Sequence, residues 1–347
     1  MKIYLDPEKN YYKANLHCHT RYSDGRASRE TVKEEYKKKG YSAVAFTDHE
    51  HLINSKDLSD EDFVAITGVE LSIRGPRVET VTPNPYLKYI HVNLFAKDPD
   101  CDLTPFYTEN TDFYKFDDVR HLVKPGEYFE KQHTADAINQ MVRRAHELGF
   151  LVSYNHPGWC LHTAEDYLHY DEFDFVEVHN TGCVILGYGS DEQVFSDMMR
   201  AGKKIYCTAT DDNHNAYGFD EPLTDSFGGW VMIAADKLGY RELMDSLEAG
   251  DFYASTGPEI YSIALDDSGE ESVINVKCSP AKSIYLITQG RRTGRAIAQA
   301  SDTIEEASIK LYPRDARFRI RVDDAQGRSA YSQIYDIPED APRVKVK

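Results

Sequence analysis

The sequence predicts an α/β barrel built from alternating strands and helices, followed by a small all-β domain. Over roughly the first 250 residues, short apolar runs alternate with helical patterns, which indicates parallel βα units. Beyond residues 251–261, only short strands separated by turns are recognisable. A length of 347 residues also exceeds what one core usually supports, so two domains are expected. We place the boundary between residues 258 and 259.

The first helix is predicted at residues 28–39. Ser28 is a suitable N-cap, Val32 and Tyr36 share one face, and Gly40 ends the helix. Buried strands are predicted at residues 42–49, 63–70, 89–96, 150–157, 173–180 and 203–214. A second long helix ends at Gly149, and its apolar face carries Ile138, Met141, Val142, Ala145 and Leu148. Helices are also expected between the last three strands.

The C-terminal segment, residues 259–347, is predicted to form a β-sandwich-like domain. In one of its strands, Phe318, Ile320 and Val322 alternate with three arginines. Because alternate side chains of a strand point to opposite faces, we expect Arg317, Arg319 and Arg321 to form a solvated face.

Residues 97–132 form an unusually long connection, rich in Asp, Pro, Tyr and Phe and without clear periodicity. Long loops at an active face often act as lids or specificity elements, and otherwise are mobile excursions. We favour a lid.

The charge and cysteine content limit the partners and the compartment. A formal net charge of −18 argues against a broad contact with long nucleic acid or an anionic membrane, since those contacts need clustered Lys and Arg. The six cysteines show no CxxC spacing, no signal segment opens the chain, and no apolar run reaches membrane-spanning length. We therefore expect a reduced, cytoplasmic setting. The cysteines are Cys18, Cys101, Cys160, Cys183, Cys207 and Cys278.

The first candidate metal ligands along the chain are two histidines separated by one residue. His17 and His19 would point to the same face of a strand, while Cys18 between them would turn away. Asp212 and His214 show the same spacing near the end of the predicted barrel. Mixed sets of His, Asp and Glu suit Zn²⁺, Mn²⁺ or Fe²⁺ better than Mg²⁺.

Polar residues occupy the C-terminal ends of six apolar runs. In a βα-barrel these ends meet at the active face, so the side chains should converge. They are His17/His19, Asp48/His49, Glu70, Asn155/His156, Glu177/His179 and Asp211/Asp212/His214.

Six ordered motifs resemble those of the PHP (polymerase and histidinol phosphatase) family over about residues 13–256. They are "HCHTRYSDG", "FTDHEH", "GVELS", "HVNLFA", "NHPGW" and "TDDNH". The resemblance implies a PHP phosphoesterase domain at residues 1–258, folded as a distorted, TIM-like (β/α)7 barrel.

The resemblance also implies two to three divalent metal ions and a ligand set for each. His17, His19 and Asp212 would hold the first ion, and Glu70 would bridge it to a second. That second ion would be held by His91 and His156. A third ion would be held by Asp24, His49 and His214.

Metal chemistry then suggests hydrolysis by a bridging hydroxide, with in-line attack on a phosphoryl group. Three further residues are candidates for direct catalytic roles. Arg21 could bind phosphate through its planar fork, His179 could orient or protonate the leaving group, and Asn155 could donate a hydrogen bond.

Several alternatives stay open at this point. His121 or His133 could replace His91, Asp24–Gly25 could be a simple turn, and Glu177 could orient a neighbour, contact substrate or be solvated. Apart from that possible substitution, six histidines are assigned no role in the site. They are His51, His121, His133, His146, His162 and His169.

The expected function is hydrolysis of small phosphomonoesters or short nucleotides by a metal-dependent phosphoesterase. One rival is a metal-stabilised binding domain without turnover. Another is hydrolysis of a non-phosphate bond such as an amide or ester. We expect a small phosphorylated substrate and neither a long nucleic acid nor a membrane as partner. The sequence does not indicate an oligomeric state.

Overall fold

The computed structural model describes residues 1–78, 86–107, 119 and 121–344. The strands of the N-terminal half are β1 Lys2–Leu5, β2 Asn10–Asn15, β3 Ala43–Phe46, β4 Val64–Val78, β5 Tyr86–Ala96, β6 Phe150–Tyr154, β7 Phe175–Asn180, β8 Tyr206–Thr210, β9 Trp230–Ala235 and β10 Phe252–Ser255. The α-helices are α1 Arg29–Lys38, α2 Ala135–Glu147, α3 Ala164–Tyr167, α4 Thr181–Ile185, α5 Glu192–Arg200 and α6 Tyr240–Ala249.

The remaining strands belong to the C-terminal half. They are β11 Ile260–Asp266, β12 Val273–Ala281, β13 Ser283–Thr288, β14 Thr293–Ile297, β15 Ile304–Lys310, β16 Arg317–Asp323, β17 Ser329–Tyr331 and β18 Tyr335–Asp336.

The predicted mixed α/β fold class is confirmed, but the sheet is not parallel throughout, since β9 is antiparallel to both β2 and β10. The sheet runs β10-β9-β2-β3-β4-β5-β6-β7-β8, and the pairs β2/β3, β3/β4, β6/β7 and β7/β8 are parallel. β5 is antiparallel to both β4 and β6. Only residues 79–85 connect β4 to β5, which is too short for the crossover that a parallel pair requires.

The two long helices that the sequence predicts are present. Ser28 caps α1, since its side chain accepts a hydrogen bond from the Thr31 amide. Thr134 caps α2 in the same way, through the Ala137 amide. The α2 helix ends before Gly149, whose φ of +84° suits glycine. Its apolar face packs into the main core through Ile138, Met141, Val142 and Ala145.

The C-terminal half is a β-sandwich. One layer is the sheet β1-β11-β12-β15, and the other consists of β14, β13, β16 and β17, which continue the large sheet from β10. Ile263 and Val276 of the first layer share a core with Leu286 and Ile320 of the second. Strand β1, from the start of the chain, pairs with β11. The domain boundary at 258/259 stays a prediction.

The prediction of a solvated arginine face is wrong for Arg319, which is 1% exposed. Its guanidinium pairs with Glu192 of α5 and donates to Ser196 Oγ at 2.9 Å. Arg321 also donates to Glu192, at 2.9 Å. The predicted alternation of β16 is correct. However, the face of β16 that points away from the sandwich core packs against α5 and not against solvent. This ion pair therefore joins the two halves.

None of the helices within the described ranges is long and apolar enough to cross a membrane. All six cysteines are unpaired. The cytoplasmic location stays a prediction.

We expect Glu192→Ala to lower the free energy of unfolding by about 3 kcal/mol, because it leaves the buried Arg319 charge without its carboxylate. Urea denaturation of the two proteins measures the difference. Glu35→Ala is the control, since Glu35 pairs with Lys38 on the surface at 2.7 Å and should contribute less than about 1 kcal/mol. Equal stability of the Glu192 variant and the wild type would show that the pair does not join the halves.

Candidate metal centre

Two chain segments run side by side to form the floor of the candidate site. The segment after β2 carries His17 and His19, and the segment after β8 carries Asp212. The Asp212 amide donates to the His17 carbonyl at 3.0 Å, and the His19 amide donates to the Asn213 carbonyl at 3.0 Å. Asp212 has a φ of +52°, a strained value for this residue type that places its side chain beside the histidines.

The first cluster comprises His17, His19, Glu70 and Asp212, all of them buried. The two histidine Nε2 atoms lie 3.2 Å apart. Asp212 Oδ1 lies 3.2 Å from His17 Nε2 and 3.0 Å from His19 Nε2. Glu70 Oε2 lies 3.1 Å from His19 Nε2. Two imidazoles and two carboxylates therefore face a common point.

Glu70 also belongs to a second cluster with His49 and His91. Its Oε2 lies 3.2 Å from His49 Nδ1, and its Oε1 lies 3.1 Å from His91 Nδ1. His91 reaches Glu70 because β5 lies directly beside β4, where Ser72 pairs with His91 in the register. One carboxylate thus links two groups of histidines.

A third cluster joins Asp24 to His19, His49 and His214. Asp24 lies 3.4 Å from His214 Nε2 and 3.7 Å from both His19 and His49. Its side chain is 40% exposed, so this is the open end of the site. The turn that presents Asp24 needs Gly25, because a Cβ there would lie 2.5 Å from the His19 carbonyl carbon.

Glu177 is buried and fixes the orientation of His17. Its Oε1 accepts a hydrogen bond from His17 Nδ1 at 2.7 Å and another from Thr210 Oγ1 at 2.8 Å. Its Oε2 accepts from the His156 amide at 2.9 Å. With only 1% of its surface exposed, the alternative of a solvated carboxylate is wrong. Because Nδ1 of His17 is held by Glu177, its Nε2 faces the first cluster.

All nine predicted metal ligands lie in these three clusters or in a fourth that contains His156, but their grouping differs from the one the resemblance implies. His49 joins Glu70 and His91, and His156 groups with His17 and Glu177. His156 Nε2 lies 3.4 Å from Glu70 Oε1, so it stays within reach of the second group. The assignment of each residue as a ligand stays a prediction.

The suggested substitutes for His91 lie outside these clusters. His121 is exposed, and His133 Nε2 lies 3.3 Å from His162 Nε2.

The buried polar atoms test whether this donor set fits a cation. Glu70 Oε2, Asp212 Oδ1 and Asn155 Oδ1 are buried and accept no hydrogen bond within the described ranges. Burial alone would lower the pKa of His17, yet Asp212, Glu70 and Glu177 together raise it to about 10. The cluster therefore favours a positive charge at its centre. A divalent cation fits this requirement and the mixed His/carboxylate donor set.

Of the three residues predicted to assist catalysis, the structure brings only Asn155 into the centre. Asn155 Nδ2 donates to Glu70 Oε1 at 2.9 Å. His179 Nε2 lies 3.1 Å from Thr181 Oγ1, and His179 does not line the cavity described below. Arg21 is exposed, its Nε donates to the Arg26 carbonyl at 2.8 Å, and it also does not line that cavity.

A cavity of about 1060 Å³ opens above the clusters. Part of its wall comes from the predicted lid segment, through residues 128–131. Lys131 pairs there with Glu50, a nearly buried residue whose φ is +63°. Residues 108–118 and 120 of the predicted lid lie outside the described residues, and lid motion stays a prediction.

Sequence reasoning did not find Lys131, Glu50 or Trp159, which also lines the cavity. Glu50 lies inside the motif "FTDHEH" and Trp159 ends the motif "NHPGW", but the motifs assigned neither residue a role. Lys131 lies in no motif, and its only signal was the position of the long connection, which was expected to lie near the active face.

Comparison with known proteins shows a similarity over part of the N-terminal half. Residues 15–120 match the family model of the PHP domain. Over this range the chain is similar to a PHP domain, and its buried His, Glu and Asp clusters are consistent with metal ions. The search of curated proteins gives no match.

Solved structures with similarity to this chain share little sequence with it. A two-domain protein from Bacteroides vulgatus, described as containing a predicted PHP-like metal-dependent phosphoesterase, is 12% identical, with a TM-score of 0.44 and coverage of 97% of this chain and 98% of that one. A proposed metal-dependent phosphoesterase from Bifidobacterium adolescentis is 19% identical, with a TM-score of 0.36 and coverage of 64% of this chain and 94% of that one. An amidohydrolase from Chromobacterium violaceum with bound sulfate is 14% identical, with a TM-score of 0.36 and coverage of 69% of this chain and 96% of that one. These similarities are too low to assign an activity.

We expect Glu177→Gln to weaken metal binding about 10- to 100-fold, because the hydrogen bond that orients His17 is weakened. Competition with a metallochromic chelator measures the affinity. The matched control is Glu35→Gln on the surface of α1, which should bind metal like the wild type. Unchanged affinity in the Glu177 variant would remove Glu177 as the residue that positions His17.

Proposed function

We propose that this protein is a metal-dependent phosphoesterase acting on small phosphomonoesters or short nucleotides. The observation that carries the proposal is the convergence on Glu70. This buried carboxylate lies between histidines from several strand ends and has an oxygen without a hydrogen bond from the described residues. Such an arrangement fits a site with more than one cation sharing a carboxylate.

The donor atoms suggest which residues would hold the ions. The first would be held by His17, His19 and Asp212 with Glu70. A second would lie at Glu70 with His49 and His91, within reach of His156. A third would lie at Asp24 and His214, beside His19 and His49. When bound, divalent cations of this kind lower the pKa of water towards neutrality and neutralise phosphate oxygens.

The residues of the chain orient this centre. Glu177 holds His17 through Nδ1, and Asn155 holds the Glu70 carboxylate through Oε1. Asp212 accepts a hydrogen bond from Asn180 at 3.1 Å through its Oδ2, which leaves Oδ1 facing the histidines. Each of these contacts limits the rotation of a donor group, so the site is arranged before any substrate arrives.

The charge and the cavity favour a small substrate. A chain with a net charge of −18 repels a polyanion over long range, whereas local cations attract a single phosphate group. The cavity of about 1060 Å³ has room for a small ester or a short nucleotide.

Turnover and metal content should be measured on the same sample, purified without chelator. We expect two or three divalent ions per chain by elemental analysis. We also expect release of phosphate from a panel of nucleotides, sugar phosphates and histidinol phosphate. A chelator should abolish the release, and Zn²⁺, Mn²⁺ or Fe²⁺ should restore it. Bound metal without hydrolysis of any phosphate ester would contradict the proposal and favour a binding role or an amide or ester substrate.

Replacing a central ligand should remove both metal and activity. We expect His17→Ala and Asp212→Ala to lower kcat more than about 100-fold, since losing a direct ligand should cost more than losing a hydrogen-bonded partner of one. Bound metal should fall by at least one ion per chain. Asp236→Ala is the control, because Asp236 pairs with Lys9 at the surface. Full activity in either ligand variant would mean that the centre is misplaced.

A further inference from the structure

A run of apolar side chains lies exposed at the end of α4 and directly after it. Val184, Ile185, Leu186 and Tyr188 expose 39%, 36%, 68% and 39% of their surfaces. Consecutive exposed apolar residues are unfavourable on a free surface and typically mark a place where something binds. We refer to residues 184–188 as the apolar strip.

The apolar strip is continuous with the metal centre. Ile185 and Leu186 line the same cavity as His156 and Asp212. The strip continues from α4, whose N-cap residue is Asn180. The Asn180 Nδ2 donates to Glu177 Oε2 at 2.9 Å and to Asp212 Oδ2 at 3.1 Å. The strip is therefore held in a defined position relative to the candidate ligands.

Trp159 supplies a second apolar surface in the cavity. Its ring is only partly buried and lies 5.1 Å from His91 and 5.2 Å from His156, measured between ring centroids. Tyr89 lies 6.3 Å from the same ring. An aromatic ring at this spacing favours contact with another ring or an apolar group. It is in direct contact with predicted metal ligands.

These observations point to a substrate with a phosphate end and an apolar end. We propose that the cavity selects phosphate esters whose organic group is apolar or aromatic, and that this group contacts Trp159, Ile185 and Leu186. The inference rests on the proposed phosphoesterase function for the phosphate end.

The volume and the wall of the cavity support this choice over a small polar ester. About 1060 Å³ is at the upper end of ligand pockets, so a phosphate alone leaves most of the space unfilled. Two of the charged wall residues, Glu50 and Lys131, pair with each other, while Arg74, Glu130 and Asp225 also line the cavity beside the apolar residues. Binding is favoured in proportion to the apolar wall area that the ligand removes from water. A polar sugar gains less from covering apolar side chains than an apolar or aromatic group does.

Two phosphonates with the same head group test the inference on the metal-loaded full chain. Isothermal titration calorimetry should show benzylphosphonate binding about tenfold more tightly than methylphosphonate. The Ile185→Ser/Leu186→Ser double variant should lose most of this preference while its Kd for methylphosphonate stays within about twofold. Ile297→Ser, which alters an equally apolar and 56% exposed residue of the sandwich, should keep the preference.

Three results would overturn the inference, and they are distinguishable from one another. Equal affinity for the two phosphonates, together with chelator-sensitive phosphate release, would reject the apolar substrate but keep the proposed function. An unchanged preference in a double variant that elutes as a smaller species than the wild type would show that the strip covers a second copy. Absence of binding to either phosphonate, with no phosphate released from any ester, would reject the proposed function itself.

Discussion

The central constraint on this molecule is the burial of Glu70 among histidines. A buried carboxylate is strongly unfavourable unless opposite charges or hydrogen bonds surround it, and here histidine nitrogens lie 3.1–3.4 Å from its oxygens. The strand ends must meet at one edge of the sheet to bring these imidazoles together. The antiparallel β5 contributes as well, because it places His91 beside Glu70 on the adjacent strand. The arrangement of strands that surrounds the buried Glu70 carboxylate with histidines therefore also forms the proposed cation site.

Much of this could be predicted from sequence because the governing rules are local. Two histidines at i and i+2 share a face, and polar residues after apolar runs mark the C-terminal edge of a barrel. The cap of α1 follows from Ser28 in the same way. These rules predict which side chains converge. They do not predict distances, and so the pairing of His49 with Glu70, rather than with Asp24 alone, appeared only in the structure.

The remaining features depend on contacts between distant parts of the chain. Arg319 looks like a surface residue in its strand, and only the packing of α5 against that strand shows that it is buried. Lys131 belongs to no motif and reaches the cavity through the path of a long connection, and Trp159 ends the motif "NHPGW" without a role that the motif could assign. Glu177 was recognised as a strand-end carboxylate, but its role depends on the exact approach of His17 from a strand that lies far away in sequence.

Anomalous X-ray diffraction from metal-loaded crystals, collected on both sides of the absorption edge, tests the central claim most directly. The account predicts two or three anomalous peaks at the C-terminal edge of the barrel, with Glu70 contacting more than one of them and His17, His19 and Asp212 around the first. A single peak elsewhere in the chain, or no peak near Glu70 in crystals grown with excess Zn²⁺ or Mn²⁺, would contradict it.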